Sequence, residues 1–231
     1  MSEDAAKRAA GEAAAALVET GMLVGLGTGS TARYVVAALG RRVRDEGLKI
    51  TGVPTSAATE KQARELGIPT IEPGPDAIDL DIDGADEIEI GTLRLIKGLG
   101  GALLREKIVR QASSRFVVIG DTSKPVHVLG ERAPLPVEII RFGQASTIHR
   151  IATLGGAPKL RLKSDATPFL TDSANVIVDC AGFAPIRDPF TLQRELLAIA
   201  GVVETGLFLT GVEQALLGAD DGSVSVMRPS A

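Results

Sequence analysis

This chain of 231 residues is poor in the residue types that mark several functional classes. Cys180 is its only cysteine, so no internal disulfide can form, and a reducing, cytoplasmic setting is expected. Tryptophan is absent, Tyr34 is the only tyrosine, and six Phe complete the aromatics, which leaves little on which bases could stack. With 25 Lys and Arg against 29 Asp and Glu, the chain has no basic excess to neutralise phosphates, and no nucleic-acid partner is expected. His127 and His149, the only histidines, stand apart and assemble neither a nucleophilic triad nor a His-based metal site. No apolar run nears the roughly 20 residues that span a bilayer. The acidic start, Met1-Ser2-Glu3-Asp4, lacks the basic and apolar regions of a signal peptide. A soluble protein without a membrane partner is expected.

What the chain has is 45% hydrophobic residues and 26 glycines, arranged as alternating strand and helix signals. Ser2 with Glu3 and Asp4 reads as the cap and acidic first turn of a helix that runs through Ala9 to Glu19. Met22–Leu26 is a strand, and Ala32–Leu39 a helix closed by Gly40. A strand over Leu48–Val53, a helix over Ser56–Leu66 and strands over Ile68–Ile71, Ala77–Ile82 and Leu93–Ile96 follow. Ala102–Ala112 is then helical and Phe116–Ile119 extended. This alternation predicts a Rossmann-like α/β domain, a mostly parallel sheet with helices on both faces. After Pro134-Leu135-Pro136 the order becomes strand (137–140), helix (146–153), strand (159–162), strand (176–179), helix (189–199), strand (202–208). That βαββαβ order predicts a smaller ferredoxin-like α+β domain over residues 133–204, with 1–132 and 205–231 forming the large one.

The densest chemistry lies in Asp79, Asp81, Asp83, Asp86, Glu87 and Glu89. Ile78, Leu80 and Ile82 alternate with the first three acids, the period of a strand with one buried face, and Gly84 ends the alternation. A calcium loop starting at Asp79 needs a bidentate Glu at its twelfth position, where Ile90 stands. Local turn bonding accounts for one or two of these acids, but not for both Asp83 and Asp86 beside a strand end. In parallel sheets that edge is where ligands bind.

Gly27-Thr28-Gly29-Ser30-Thr31-Ala32 fits G-x-G-x-x-A between a strand and a helix. A dinucleotide site wants an acid at the end of the second strand, which instead ends Gly52-Val53-Pro54-Thr55, so an NAD-dependent dehydrogenase is disfavoured. Two readings stay open for the loop: a tight turn with Ser30 as helix cap, or N–H and hydroxyl groups holding an anionic oxygen. Lys97-Gly98-Leu99-Gly100-Gly101 and Asp121-Thr122-Ser123-Lys124 are further strand-end turns, each with a lysine. Glu106 in the next helix reads by itself as a solvated charge, as does Lys7 in the first helix. Hydroxyls, lysines, a carboxylate pair and a helix carboxylate together suit a small anionic polyol such as a sugar phosphate.

These motifs, with Asp83-Gly84-Ala85-Asp86-Glu87, Lys97 to Lys107, Pro134 to Glu138, Leu154-Gly155-Gly156, Asn175 to Asp179 and Gly201 to Phe208, resemble ribose-5-phosphate isomerase, type A, along nearly the whole chain. Leu99 departs from the pattern, since some members carry a third glycine there. The resemblance implies reversible conversion of ribose 5-phosphate to ribulose 5-phosphate through a cis-enediol, without metal or coenzyme, by a homodimer or a dimer of dimers. By the same resemblance Glu106 is the general base, Asp83 relays protons, Asp86 holds the sugar and Lys97 stabilises the enediolate. Thr28, Gly29, Ser30, Thr31, Gly84, Ala85, Gly98, Leu99, Gly100, Lys124 and Lys7 are its expected substrate contacts. The alternative is a non-catalytic sugar-phosphate sensor domain; the chain shows no helix-turn-helix extension or basic arm, and Glu106 favours an enzyme.

Overall fold

A computed structural model describes residues 3–230, so the Ser2 cap lies outside the described residues. The elements begin with α1 (Glu3–Ala15), β1 (Leu23–Leu26), α2 (Ala32–Glu46), β2 (Thr51–Pro54), α3 (Ala57–Glu65) and β3 (Ile78–Gly84). Next come β4 (Glu87–Glu89), β5 (Leu95–Ile96), α4 (Leu103–Gln111), β6 (Ser113–Asp121), β7 (Pro125–Val126) and β8 (Leu135–Ile139). The chain closes with α5 (Gln144–Thr153), β9 (Pro158–Leu160), β10 (Val176–Cys180), α6 (Pro189–Leu197), β11 (Val202–Thr205), β12 (Leu207–Phe208), β13 (Gln214–Gly218) and β14 (Val224–Met227).

The main sheet has the order β14-β13-β6-β3-β1-β2, parallel throughout except for the antiparallel edge strand β14. Val24, Leu26, Leu80, Ile82, Val117 and Ile119 point to one face and pack under α1 and α2 with Ala10, Ala14, Val35 and Leu39. On the other face Phe116, Val118, Ala215 and Leu217 meet Ile88, Leu95 and Phe208 of a short mixed sheet, β12-β5-β4-β7. Val109 of α4 covers Val53 and Ile78 beside it. A third sheet, β11-β8-β10-β9, is antiparallel at every neighbour, with its first strand lying between its fourth and third. That is the ferredoxin-like arrangement expected from the sequence. Its core includes Val137, Ile139, Ile151, Val176, Val178 and Leu196, and joins Ile96, Val126 and Leu207 of the short sheet.

Several local expectations change. The first helix stops at Ala15 rather than near Glu19, because Leu17 and Val18 tighten onto Ala14 and Ala15, and Arg42 donates to the carbonyls of Ala15 and Val18 at 2.6 and 2.9 Å. The second helix does not close at Gly40. It runs to Glu46, with Gly47 at φ 72° as its C-terminal turn, while a Cβ on Gly40 would stand 2.7 Å from Leu66 Cβ. Gly40 is thus a packing residue where α2 meets the end of α3. Residues 68–71 form only a bridge, Gly52 to Thr70, alongside β2. The strand expected over 202–208 breaks at Gly206, whose N–H reaches Pro136 O and whose carbonyl takes Lys97 N–H, so β11 and β12 belong to different sheets. Finally, β3 does not have one wet face. It lies between β1 and β6 with both faces covered, and Asp81 and Asp83 are as buried as Leu80 and Ile82.

A candidate active site at the carboxyl edge of the main sheet

The carboxyl ends of β1, β3 and β6 open onto a cavity of about 230 Å³. Thr28, Gly29, Ser30, Thr31, Gly84, Ala85, Asp86, Lys97, Gly98, Gly100, Glu106 and Lys124 line it. Four turns far apart in sequence therefore converge, as the strand-end motifs predict. Asp83, Leu99 and Lys7, also expected as contacts, do not line the cavity.

The six acids between 79 and 89 part company in the fold. Asp79 accepts Leu23 N–H at 2.7 Å. Glu87 accepts the N–H groups of Gly130, Arg132 and Ala133 at 2.6 to 2.7 Å, anchoring that loop. Glu89 pairs with Arg94 at 2.5 Å. Asp81 is sealed in the sheet interior, and neither of its oxygens finds a hydrogen-bond donor among the described residues. Burial, then Asp83, raises its pKa well above the usual carboxylate value. Only Asp83 and Asp86 remain for the cavity. Among the described residues no three His, Cys, Asp or Glu side chains are grouped to hold a metal ion.

Asp83 sits one layer beneath the cavity, 1% exposed at its side chain. Its Oδ1 accepts Thr28 N–H at 3.0 Å and Gly84 N–H at 2.7 Å, and its Oδ2 stands 3.0 Å from Lys97 Nζ. Gly27 makes this possible, since any Cβ there would fall on the Asp83 carboxylate. Lys97 Nζ also donates to Gly84 O at 2.5 Å, stands 3.4 Å from Glu106 Oε2, and lies 5.4 Å from the centre of the Phe208 ring. Burial disfavours the ammonium, but Asp83 and Glu106 outweigh it and hold the Lys97 pKa above its ordinary value. One cation thus faces two carboxylates in a site closed to water on one side. Burial first, then Asp83 and Asp86, push Glu106 up to about 8 against the pull of Lys97. Glu106 is not the solvated charge its sequence context suggests: it is 4% exposed.

Glu106 stands in the first turn of α4, whose N-cap residue, Ala102, supplies no side-chain cap. Glu138 of β8 accepts hydrogen bonds from Thr171 Oγ1 at 3.0 Å and Asn175 Nδ2 at 2.9 Å, while its Oε2 finds no donor among the described residues and burial raises its pKa. Lys107, the next residue after Glu106, turns away from the cavity to Glu204 Oε1, Thr205 O and Leu207 O at 2.9, 2.8 and 2.6 Å.

The opposite wall is the start of α2. Thr31 occupies its N-cap with helical backbone angles and no side-chain cap bond, so Ser30 is not the cap that one of the two open readings placed there. Backbone N–H groups at that end face the cavity, a ready position for an anion. Thr28 is fixed by a hydroxyl cluster that the sequence did not reveal. Its Oγ1 lies 2.7 Å from Thr55 Oγ1, 2.8 Å from Ser56 Oγ and 3.2 Å from Thr59 Oγ1, and Thr59 bonds back to Gly27 O. A Ser56-x-x-Thr59 pair opening α3 was the available signal. Asp121, beside Lys124, accepts the Ser123 N–H at 2.9 Å and the Ser123 hydroxyl. Burial works against its charge, but Ser123, Lys124 and Lys7 hold its pKa below the ordinary value. Lys7 therefore stands near Asp121 without lining the cavity.

The fold and cavity define a class: an α/β protein with a buried carboxylate–lysine cluster at one end of a small polar cavity and the start of a helix at the other. The family model described as ribose 5-phosphate isomerase A (phosphoriboisomerase A) matches residues 51–222. A curated ribose-5-phosphate isomerase A from Synechococcus sp. (strain JA-3-3Ab) is 49% identical over 231 residues, 99% of each chain. The solved ribose 5-phosphate isomerase A of Methanocaldococcus jannaschii superposes with a TM-score of 0.91 at 39% identity, over 96% of this chain and 97% of the other. A D-ribose-5-phosphate isomerase in complex with phospho-erythronic acid has a TM-score of 0.93 at 34% identity, over 99% of this chain and 100% of the other. The chain belongs to the ribose 5-phosphate isomerase A family.

Proposed function

We propose that this chain is the enzyme that interconverts D-ribose 5-phosphate and D-ribulose 5-phosphate in the non-oxidative pentose phosphate pathway. The observation that carries this reading is the buried Glu106–Lys97 pair on the cavity wall, 3.4 Å apart, with Asp83 behind it. It is supported by a relative of the same fold that binds phospho-erythronic acid, a phosphorylated polyol acid.

In this mechanism Glu106 as carboxylate removes the proton from carbon 2 of the open-chain aldose and returns it to carbon 1. Between the two transfers the electron pair rests on the oxygen at carbon 1, as an enediolate. Lys97 stabilises that developing charge, and its position is set before substrate arrives by Asp83 and Gly84 O. One hydroxyl proton passes between the oxygens on carbons 2 and 1, so nothing is gained or lost overall. Asp83 acts through Lys97, keeping it charged and aimed; Asp86 holds the sugar hydroxyls. The phosphate lies at the α2 terminus with Gly29, Ser30, Thr31 and Lys124, and Lys7 adds positive charge across Asp121. Thr28, Gly84, Ala85, Gly98 and Gly100 shape the space between, and Leu99 contributes through its backbone N–H.

We read residues 133–204 as the small domain, and 1–132 with 205–231 as the large one. No helix among the described residues is long and apolar enough to cross a membrane. A cytoplasmic homodimer fits the family resemblance, and exposed Phe142, Phe190 and Leu197 around α5 and α6 offer apolar surface for a second copy. The test is incubation of the purified protein with ribose 5-phosphate in deuterated water. Ribulose 5-phosphate carrying deuterium at the exchanging carbon is expected; no turnover would overturn the assignment, leaving the sensor domain.

A further inference from the structure

Arg161 follows β9 in the small antiparallel sheet, yet its guanidinium ends on the glycine-rich turn after β5. The side chain is 13% exposed. Its Nε donates to Asp179 Oδ2 at 2.9 Å and its Nη2 bonds Asp179 Oδ1, so the fork is seated on β10. Its Nη1 donates to Gly98 O and Leu99 O, each at 3.0 Å. The group lies 5.9 Å from the centre of the Phe169 ring, and Phe169 fills the space that a side chain on Gly101 would need.

Gly98 C=O and Leu99 N–H belong to one planar peptide and point opposite ways. While Arg161 holds the carbonyl, the N–H is aimed the other way, where it donates to Asp86 Oδ2 at 2.9 Å. Arg161 shares that carbonyl with the Gly101 N–H, which reaches it at 3.0 Å across the turn, and adds a charged donor where the backbone is loose. Gly98 sits at φ 105° and Gly101 at φ 85°, and a peptide beside glycine can rotate at little steric cost. A rotated peptide would present an N–H to the guanidinium, two donors face to face, and would leave Asp86 without its partner.

We propose that Arg161 is a positioning residue: by clamping the Gly98–Leu99 peptide it aims the Leu99 N–H at Asp86 and sets that carboxylate toward the substrate hydroxyls. This rests on Asp86 holding the sugar. The small domain thereby contributes to substrate affinity without lining the cavity.

Steady-state kinetics with ribose 5-phosphate test it on Arg161→Gln, Asp86→Asn and the double variant. Arg161→Gln is expected to raise KM about 10-fold while kcat stays within about 3-fold, as loss of a charge-assisted hydrogen bond implies. A partly unfolded preparation lowers kcat and leaves KM alone, so the split separates positioning from stability. Because Arg161 acts through Asp86, the double variant should have the KM of Asp86→Asn alone. Arg161→Lys keeps the charge but not the planar fork, and is expected to recover part of the lost affinity. An unchanged KM in Arg161→Gln, or effects that simply multiply in the double variant, would overturn the proposal. Should Arg161→Gln fail to fold, Arg161→Lys carries the test, and a parental KM there overturns it equally. An unchanged KM in Asp86→Asn would instead remove the sugar-holding role of Asp86, and the proposal with it.

Discussion

Glu106 and Lys107 are neighbours on α4 but belong to two differently built regions, the cavity floor and the seam between α4 and the β11–β12 segment. In the seam, Lys107 has three acceptors for its three N–H groups: one carboxylate, Glu204, and two carbonyls. Burial lowers its pKa, Glu204 pulls the other way, and no charge is left over. On the cavity floor Lys97 faces two carboxylates, and Oδ2 of Asp83 and Oε2 of Glu106 have no hydrogen-bond donor beyond that ion-pair approach. The seam is a finished structural contact. On the floor one ammonium faces two carboxylates, and burial with Asp83 raises the Glu106 pKa to about 8, the range suited to the proposed general base.

Substitutions on the two sides should therefore fail differently. Glu106→Gln should retain sugar-phosphate binding and lose about 10²–10⁴-fold in kcat, the usual share of general base catalysis; full activity in that variant would take Glu106 out of the chemistry. Lys97→Met should cost about 10²–10³-fold in kcat, as loss of a preorganised donor to an oxyanion does, with deuterium exchange at carbon 2 slowed alongside product formation. Lys107→Met should leave kcat near parental and lower stability by about 3 kcal/mol, the scale for removing one partner of a buried pair, measured by urea unfolding. A large kcat loss in Lys107→Met would erase the distinction between floor and seam.

The smallest effect is one of pH. The folded state holds the Glu106 proton more tightly than the unfolded chain does, so its contribution to stability is fully present below the ordinary value of 4.5 and is lost as pH rises through about 8. Relative to the parent, Glu106→Gln should gain stability over that window; a difference flat in pH would mean that Glu106 is not held protonated. The same group should give kcat/KM an acid limb, with activity falling as pH drops below about 8.

Much of this was legible in the sequence because strand ends in a parallel sheet are written in short, local patterns. Gly27 to Thr31, Asp83 to Asp86, Lys97 to Gly101 and Lys124 each lie at a strand end that alternation and glycine announce. What escaped depends on contacts far apart in sequence. The Ile/Asp alternation of β3 reads as one wet face, since nothing local shows that α1 and α2 cover one side and α4 the other. Gly40 looks like a helix stop because its packing partner, Leu66, is 26 residues away. Thr55, Ser56 and Thr59 are ordinary helix-start residues until Thr28 is brought onto them. Glu138 and Arg161 lie in a part of the chain that seems unrelated to the cavity until the antiparallel sheet docks.

The anchoring of α4 has a consequence for how such a chain can be inherited or rebuilt. All the residues that line the cavity fall between Thr28 and Lys124, so that half looks self-sufficient on a map of the gene. Yet the helix bearing Glu106 is tied to the other half through Lys107, which donates to Glu204 and to the Thr205 carbonyl, and the turn before that helix through Arg161. A chimera that takes its two parts from different parents would keep every cavity residue and still have to rematch that junction. The unit that can be exchanged intact is the whole chain.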